Sequence, residues 1–144
     1  MGIQCEGDLR VEDHHTVEDV GIVMGQAFRQ ALDGSHGLIR YASNHSPMDE
    51  ALVLVAVDIS GRGYLAYDVE FKREALGALH TENVREFLQA FAVNAGITLH
   101  VHKLAGVNDH HVCEAIFKGL GRAVHAATLH GDRKAVNSTK GVVG

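Results

Sequence analysis

Two six-residue segments of the form DHHxxE have the residue types and spacing to bind metal ions. The first runs from Asp13 to Glu18 and the second from Asp109 to Glu114. Imidazole and carboxylate groups together form a ligand set for divalent transition metals. The 144-residue chain carries 11 histidines, and each segment contains an adjacent pair of them. The two segments therefore predict a metal site.

The spacing within each segment divides its ligands between two directions. In a helix, residues i and i+4 share a face, whereas adjacent residues point about 100° apart. The first histidine of a pair can thus share an ion with the glutamate, while the second is directed elsewhere. The simplest closure of two such helices about an approximate two-fold axis forms two sites. One site holds His14, Glu18 and His111, and the other holds His110, Glu114 and His15. Each set leaves positions open for water or substrate. The spacing leaves open whether one subunit or two provide each set.

Each segment begins a predicted helix. Apolar residues follow at helical spacing over residues 14–32 and again over residues 109–127. Asp13 stands where an N-cap belongs in the first helix, and Asn108 stands there in the second. Beyond the motif the register continues, because Gly25 in the first copy corresponds to Gly121 in the second. The repeat therefore predicts two similar halves.

The middle of the chain predicts strands and a further helix. Residues 51–59 and 64–71 are rich in apolar and β-branched side chains, and we expect the glycine-containing residues 60–63 to join them as a hairpin. Residues 81–95 predict a helix, and residues 97–102 alternate apolar and polar side chains as a half-buried strand does. Residues 9–12 are the expected last strand of the first half, which then lacks about two strands and a helix.

Composition limits the class of partner. The formal net charge is -5, from 13 basic against 18 acidic residues, which argues against nucleic acid or an anionic membrane as the main partner. A small-molecule partner fits this composition better. The two cysteines do not suggest a disulfide framework, the longest apolar run is too short to span a bilayer, and we expect a cytoplasmic protein.

The chain also resembles a known family over nearly its whole length. The motifs that carry the resemblance are GDLRVEDHHTVEDVGIVMGQA, GLIRY, SPMDEAL, DISGRGYL, REFLQAFAVNAGITLH, NDHHVCEAIFKGLGRA and STKG. They are similar to those of imidazoleglycerol-phosphate dehydratase, a lyase of histidine biosynthesis. The resemblance implies an α+β fold of two repeated sheet-plus-helices halves, like the second domain of a ribosomal protein, with the first half incomplete here. It further implies two manganese ions per site and a homo-oligomer, an octahedral 24-mer built from trimers, with sites at subunit boundaries.

Site residues follow from the same resemblance. The implied metal ligands are His14, His15, Glu18, Glu86, His110, His111 and Glu114. The implied contacts to the phosphate ester substrate are Arg40, Arg62, Lys118, Ser138, Thr139 and Lys140. Guanidinium, hydroxyl and ammonium donors are what a phosphate monoester requires. Glu18 and Glu114 are the candidates for proton transfer.

The resemblance also predicts a domain organisation. Residues 1–144 form a single domain, in which residues 1–34 are a remnant of the first repeat, residues 48–130 form the second repeat and residues 131–144 form a substrate-binding loop. Asn137 stands where the family usually has a proline. The family's amino-terminal portion, with an early glutamate and a metal-binding histidine, has no counterpart in the quoted motifs. We therefore expect one ion to lack a ligand that the other keeps in Glu86, which puts the activity of this shortened form in question.

The implied reaction is the dehydration of imidazole glycerol phosphate. The proton to be removed is not acidic, since no carbonyl group activates it. Two ions on the two ring nitrogens would stabilise an imidazolate, whose electrons expel the hydroxide. Two alternatives also use histidine and carboxylate clusters. One is a dinuclear metal hydrolase, whose ions would lie about 4 Å apart, and the other is a non-catalytic, metal-dependent assembly module.

Overall fold

The structure is a computed structural model that describes residues 2–33 and 35–131. This described part contains three helices and six strands. In chain order they are α1 (His14–Ala31), β1 (Tyr41–Met48), β2 (Ala51–Asp58), β3 (Tyr64–Asp68), β4 (Ala75–Leu76), β5 (Leu79–His80), α2 (Glu82–Ala95), β6 (Thr98–Ala105) and α3 (Asp109–Thr128).

Four strands form a mixed sheet in the order β1-β2-β6-β3. The strand β6 runs antiparallel to β2 and parallel to β3. The predicted hairpin through residues 60–63 is therefore wrong, because β6 lies between the two strands that this loop connects. Both inward side chains of β6, Leu99 and Val101, are fully buried, and the central position of the sheet provides that burial.

The first strand of the sheet was not predicted from the sequence. The segment YASNHSPM of β1 is mostly polar and contains a proline. It lies at the edge of the sheet, where a proline needs no hydrogen-bonding partner on its open side. Its pairing with β2 is antiparallel from end to end, so the hairpin in this half joins β1 to β2 through Asp49 and Glu50.

Two helices cover one face of the sheet. The helix α3 packs on β1 and β2, and α2 packs beside β3. The side chains of Val53, Val55 and Val57 point into this layer and are buried. On the opposite face of β6, His100 is exposed and His102 is half-buried, as the predicted alternation requires. A sheet with helices on one face confirms the predicted α+β class.

The helix α1 packs on α2 rather than on the sheet. Gly21 and Gly25 are its buried residues. A Cβ atom at Gly25 would lie 2.7 Å from the carbonyl oxygen of Phe91, so the two helix backbones approach closely because these positions lack side chains. On another face of α1, Val23 is 63% exposed. In the same register of α3, Gly119 is buried against Val55. The two repeated helices therefore share a sequence pattern, but equivalent positions in them have different neighbours.

Residues 9–12 do not form the expected strand. Backbone hydrogen bonds from Leu9 to Gly7 and from Val11 to Asp8 close two turns there. Leu9 and Val11 are both exposed, and no described strand lies beside them to accept a ladder of hydrogen bonds. Among the described residues, no helix is long and apolar enough to cross a membrane.

Candidate metal and substrate site

The starts of α1 and α3 lie at the same end of the molecule, on either side of residues 69–81. This segment, which contains β4 and β5, follows β3 and leads into α2. Asp109 accepts hydrogen bonds from two consecutive backbone N–H groups of the segment, at 2.8 and 2.7 Å. Asp13 accepts one from the N–H of His80, at 3.0 Å. The aspartates of the two DHHxxE segments therefore hold the same piece of chain between the two helix starts.

The predicted N-caps have different outcomes. Asn108 caps α3, because its Oδ1 atom accepts the backbone N–H of His110 at 3.0 Å. Asp13 is the N-cap residue of α1, as predicted, but its side chain makes no cap hydrogen bond. Its carboxylate accepts from the His80 imidazole instead, at 2.6 Å. Burial opposes ionisation of Asp13, but hydrogen bonds from His80 and Asn83 outweigh it and lower the pKa to about 2.

His14 is held by an amide. Its Nδ1 atom lies 3.1 Å from the Oδ1 atom of Asn83, a side chain that is 1% exposed. The atom of the Asn83 amide that faces His14 is its oxygen, which can only accept a hydrogen bond. The proton of neutral His14 therefore lies on Nδ1. This leaves the Nε2 lone pair available as a ligand.

His111 is held by a carboxylate. Its Nδ1 atom donates to Oε2 of Glu50 at 2.7 Å, while Oε1 of Glu50 accepts the N–H groups of Val107 and Asn108 at 3.1 and 2.8 Å. The imidazole is the main reason that the pKa of Glu50 falls to about 2, since its hydrogen bond stabilises the carboxylate. The same bond raises the pKa of His111 above its usual value. Nε2 of His111 carries the lone pair and faces the Nδ2 atom of Asn108, 3.4 Å away.

The other imidazole pair is held less firmly. His15 is exposed, and its Nδ1 atom lies 3.5 Å from a carboxylate oxygen of Glu12. Nε2 of His110 lies 3.5 Å from Glu114, so the first histidine and the glutamate of this segment do share a helix face. Glu114 also pairs with Lys118, whose hydrogen bond is the main cause that lowers the pKa of the glutamate.

Two of the predicted carboxylate ligands lie on helix surfaces in one protomer. Glu18 lies on α1, one turn after His14, and is half-buried. Glu86 lies on α2, also half-buried, and accepts from the neighbouring Arg85 at 3.1 Å. No group of three or more histidine, cysteine, aspartate or glutamate side chains converges within residues 2–33 and 35–131 in a way that could hold an ion. The described residues therefore present separate sets of ligands rather than a closed site.

The donor chemistry nonetheless fits a divalent cation. Histidines that bind metals almost always donate their other ring nitrogen to an oxygen acceptor, which orients the ring. His14 and His111 both do so. The residues present would thus suit a divalent cation.

The predicted phosphate ligands Arg40 and Arg62 lie at the other end of the sheet. Arg40 donates to Asp58, the last residue of β2, at 2.9 Å, and Arg62 lies in the loop that follows β2. The first residue of β2 comes directly after Glu50, the partner of His111. The eight residues of β2 separate these ends by about 23 Å at about 3.3 Å per residue. The predicted contacts Ser138, Thr139 and Lys140, and Asn137, lie outside the described residues.

Sequence reasoning missed the residues that orient the imidazoles. Glu50 occurs in the quoted motif SPMDEAL, but no role was assigned to it. Its signal was a carboxylate at the turn that precedes the most apolar strand. Asn83 offered no signal, because only the packing of α1 on α2 brings it to His14.

Comparison with known proteins finds one family. The family model described as "Imidazoleglycerol-phosphate dehydratase" matches residues 1–124. A protein of that name from Oceanobacillus iheyensis is 53% identical over 142 residues, which are 98% of this chain and 73% of the relative. A second, from Acetivibrio thermocellus, is 56% identical over 144 residues, covering 99% of this chain and 74% of the relative.

Solved structures show the same relationship. The crystal structure of imidazoleglycerol-phosphate dehydratase from Staphylococcus aureus superposes with a TM-score of 0.83 and 41% identity, covering 89% of this chain and 72% of that one. The corresponding crystal structure from Pyrococcus furiosus gives a TM-score of 0.80 and 42% identity, over 95% of this chain and 73% of that one.

Proposed function

The chain belongs to the imidazoleglycerol-phosphate dehydratase family, and on that basis we propose that it works with two manganese ions at sites shared between identical subunits. The family's activity is that of a hydro-lyase in histidine biosynthesis. The observation that carries the metal proposal is the pair of oriented imidazoles, since His14 and His111 each donate Nδ1–H to an oxygen and keep Nε2 for a ligand bond.

The proposed ligands are those of the two DHHxxE segments together with Glu86. The segments provide His14, Glu18 and His111 for one ion, and His110, Glu114 and His15 for the other. Glu86 would bind one of these two ions. When bound, two such cations would stabilise the imidazolate form of the substrate ring, whose electrons expel the hydroxide. The sheet end that carries both helix starts is where we place this chemistry.

Proton transfer is assigned to carboxylates at that end. Glu114 is held ionised beside Lys118, which lowers the pKa of the glutamate, so it is suited to accept the proton from the carbon next to the ring-bearing one. Lys118 would donate a proton to the departing hydroxide, and its salt-bridge partner Glu114 would restore that proton with the one taken from carbon. Glu18 is the equivalent carboxylate in the first segment. The substrate thus loses one hydroxide and one proton, which together make one water molecule. The resulting enol tautomerises to a ketone.

The substrate phosphate would be bound by residues of a neighbouring subunit. In one protomer Arg40 and Arg62 lie at the opposite end of β2 from His111, about 23 Å away, which is too far for one small substrate to reach. Bringing both sets onto one substrate therefore needs a second copy. Closed symmetric assemblies provide such contacts repeatedly, and the octahedral 24-mer built from trimers is the proposed form. Ser138, Thr139 and Lys140 belong to the proposed phosphate site, and the proposed location is the cytoplasm.

The shared site is tested by mixing two defective variants. His111→Gln should abolish turnover through the metal ligands, and Arg62→Ala should reduce it through the phosphate contact. If each active site takes its metal ligands and Arg62 from different subunits, oligomers reassembled from equal amounts of both should regain activity in about a quarter of their sites. The assay measures the rate of dehydration with added Mn²⁺. Light scattering measures the mass of the oligomer with and without chelator.

Two controls accompany the mixture. The double variant, which carries both substitutions in one chain, should regain no activity when it is reassembled alone by the same procedure. Reassembled wild-type protein sets the full activity. A mixture that is no more active than either variant alone, although light scattering shows the wild-type mass, would contradict the shared site. Assembly that depends on Mn²⁺ without turnover in wild-type protein would favour a structural role for the metal instead.

A further inference from the structure

We propose that Glu50 is a positioning residue of the metal site, which holds the proton of His111 on Nδ1 and so presents Nε2 to an ion. This inference rests on the proposed function, because it concerns the same imidazole. Glu50 would not itself touch the ion or the substrate. Its effect would pass through His111.

The two oxygens of Glu50 have separate partners. Oε2 accepts from Nδ1 of His111 at 2.7 Å. Oε1 accepts from the backbone N–H groups of Val107 and Asn108, at 3.1 and 2.8 Å. These two groups belong to the turn that leads into α3. Glu50 therefore places the turn and the imidazole with one carboxylate, so the ring is held relative to the helix start.

Asn108 reports the same tautomer from the other side of the ring. Its Oδ1 atom is occupied as the helix cap, since it accepts the N–H of His110 at 3.0 Å. Its Nδ2 atom is consequently the group that lies 3.4 Å from Nε2 of His111. An amide N–H is a donor only. The position of Nε2 opposite a donor agrees with a lone pair on that nitrogen, which is what a metal ion requires.

The arrangement makes the two proposed ions unequal. His14 and His111 belong to the same proposed ion, and both have Nδ1 held by an oxygen. His15 and His110 belong to the other ion. Among the described residues, the carboxylate near His15 is that of Glu12, at 3.5 Å, and the one near His110 is that of Glu114, also at 3.5 Å. The first ion therefore finds its imidazoles already oriented.

Substitution of Glu50 by glutamine separates the turn from the tautomer. The single amide oxygen of glutamine would stay with the N–H groups of Val107 and Asn108, because an NH₂ group placed against two donors forms no bond. The NH₂ group then faces Nδ1 of His111. That nitrogen must accept, so the proton moves to Nε2 and blocks the ligand position.

Asp49→Asn is the matched control. It removes the same charge from the neighbouring residue, whose carboxylate lies 3.8 Å from Nε2 of His111 and does not contact Nδ1. Asp49 has a positive φ of 47°, a conformation that asparagine tolerates as well. A difference between the two variants therefore reports the hydrogen bond at Nδ1 rather than the lost charge.

The experiment has two readouts on the full chain. Nitrogen-15 NMR of histidine-labelled, metal-free protein at high pH identifies the tautomer of His111, with His111→Gln used to assign the signal. Titration with Mn²⁺, followed by the electron paramagnetic resonance of the free ion, gives the affinity. We expect Glu50→Gln to move the proton from Nδ1 to Nε2 and to weaken the tighter class of Mn²⁺ sites about 10- to 100-fold. Asp49→Asn should keep both the tautomer and the affinity of wild type.

The outcomes separate this inference from the proposed function. Wild-type protein whose His111 carries its proton on Nε2 would overturn the inference without any variant, even if Glu50→Gln failed to fold. Equal Mn²⁺ affinities in Glu50→Gln and Asp49→Asn would overturn the positioning role alone. Wild-type protein that binds no Mn²⁺ would overturn the metal proposal together with it.

Discussion

Alanine at Gly25 and alanine at Gly121 should change stability in opposite directions. These glycines occupy the same position of the two repeated helices. At Gly25 a Cβ atom would lie 2.7 Å from the Phe91 carbonyl oxygen, 2.8 Å from Asn94 Cβ and 2.9 Å from the Ala95 nitrogen. At Gly121 no atom outside the neighbouring backbone lies within 4 Å. Carbon contacts normally lie at about 3.5–4.0 Å, so α1 must move away from α2 by roughly 1 Å in the first variant.

The magnitudes follow from packing and helix propensity. Overfilling a tight contact costs about 1–3 kcal/mol, and replacing glycine by alanine within a helix gains about 1 kcal/mol. Gly25→Ala should therefore lose up to about 2 kcal/mol overall, whereas Gly121→Ala should gain up to about 1 kcal/mol. For a chain of this size, 1 kcal/mol corresponds to roughly 4 °C in Tm. The two variants should differ by about 4–12 °C.

Thermal unfolding of metal-free protein, followed by circular dichroism at one protein concentration, measures this difference. Gly21→Ala provides an independent check, since its Cβ would lie 2.8 Å from the Phe87 carbonyl oxygen. If Gly25→Ala is as stable as Gly121→Ala, the close approach of α1 to α2 is wrong. The contact between His14 and Asn83, which depends on the same packing, would then be lost with it.

Three further predictions concern charge, burial and pH. The free energy of unfolding, measured in urea, should differ most between wild type and Glu50→Gln from about pH 4.5 to 6.5. Above pH 4.5 the lowered pKa of Glu50 stabilises the fold, and this contribution is lost as pH falls toward about 2. Below pH 6.5 the raised pKa of His111 stabilises the fold, and this contribution is lost as pH rises through the folded value. Equal differences at pH 5.5 and 9 would refute this pairing. Asp109→Ala should lose about 2–3 kcal/mol, because this buried carboxylate accepts two backbone N–H groups, and the denaturation midpoint of Asp109→Asn, which keeps an acceptor, should lie between those of Asp109→Ala and wild type. Cys5 is exposed, whereas burial raises the pKa of the Cys113 thiol, so native protein should show one fast and one slow thiol toward a disulfide reagent, and Cys5→Ser should remove the fast one.

The three helices could be predicted from the sequence alone. The helical period around residues 14–32, 81–95 and 109–127 is local, and α1, α2 and α3 lie there. The alternation in residues 97–102 likewise predicted a half-buried strand, because the side-chain period of a strand is a property of the backbone. The i, i+4 spacing of His110 and Glu114 placed both on one helix face for the same reason.

The contacts of the repeated patterns depend on the tertiary structure and could not be predicted from the sequence. Glycine-containing residues 60–63 have the composition of a hairpin, yet β6 enters between the strands they join, because strand order depends on pairing between distant segments. The apolar positions of α1 and α3 match in sequence, but α3 packs on the sheet and α1 packs on α2. Which oxygen holds each imidazole also depends on these long-range contacts. Glu50 reaches His111 across the turn between β1 and β2, and Asn83 reaches His14 across the contact between α1 and α2.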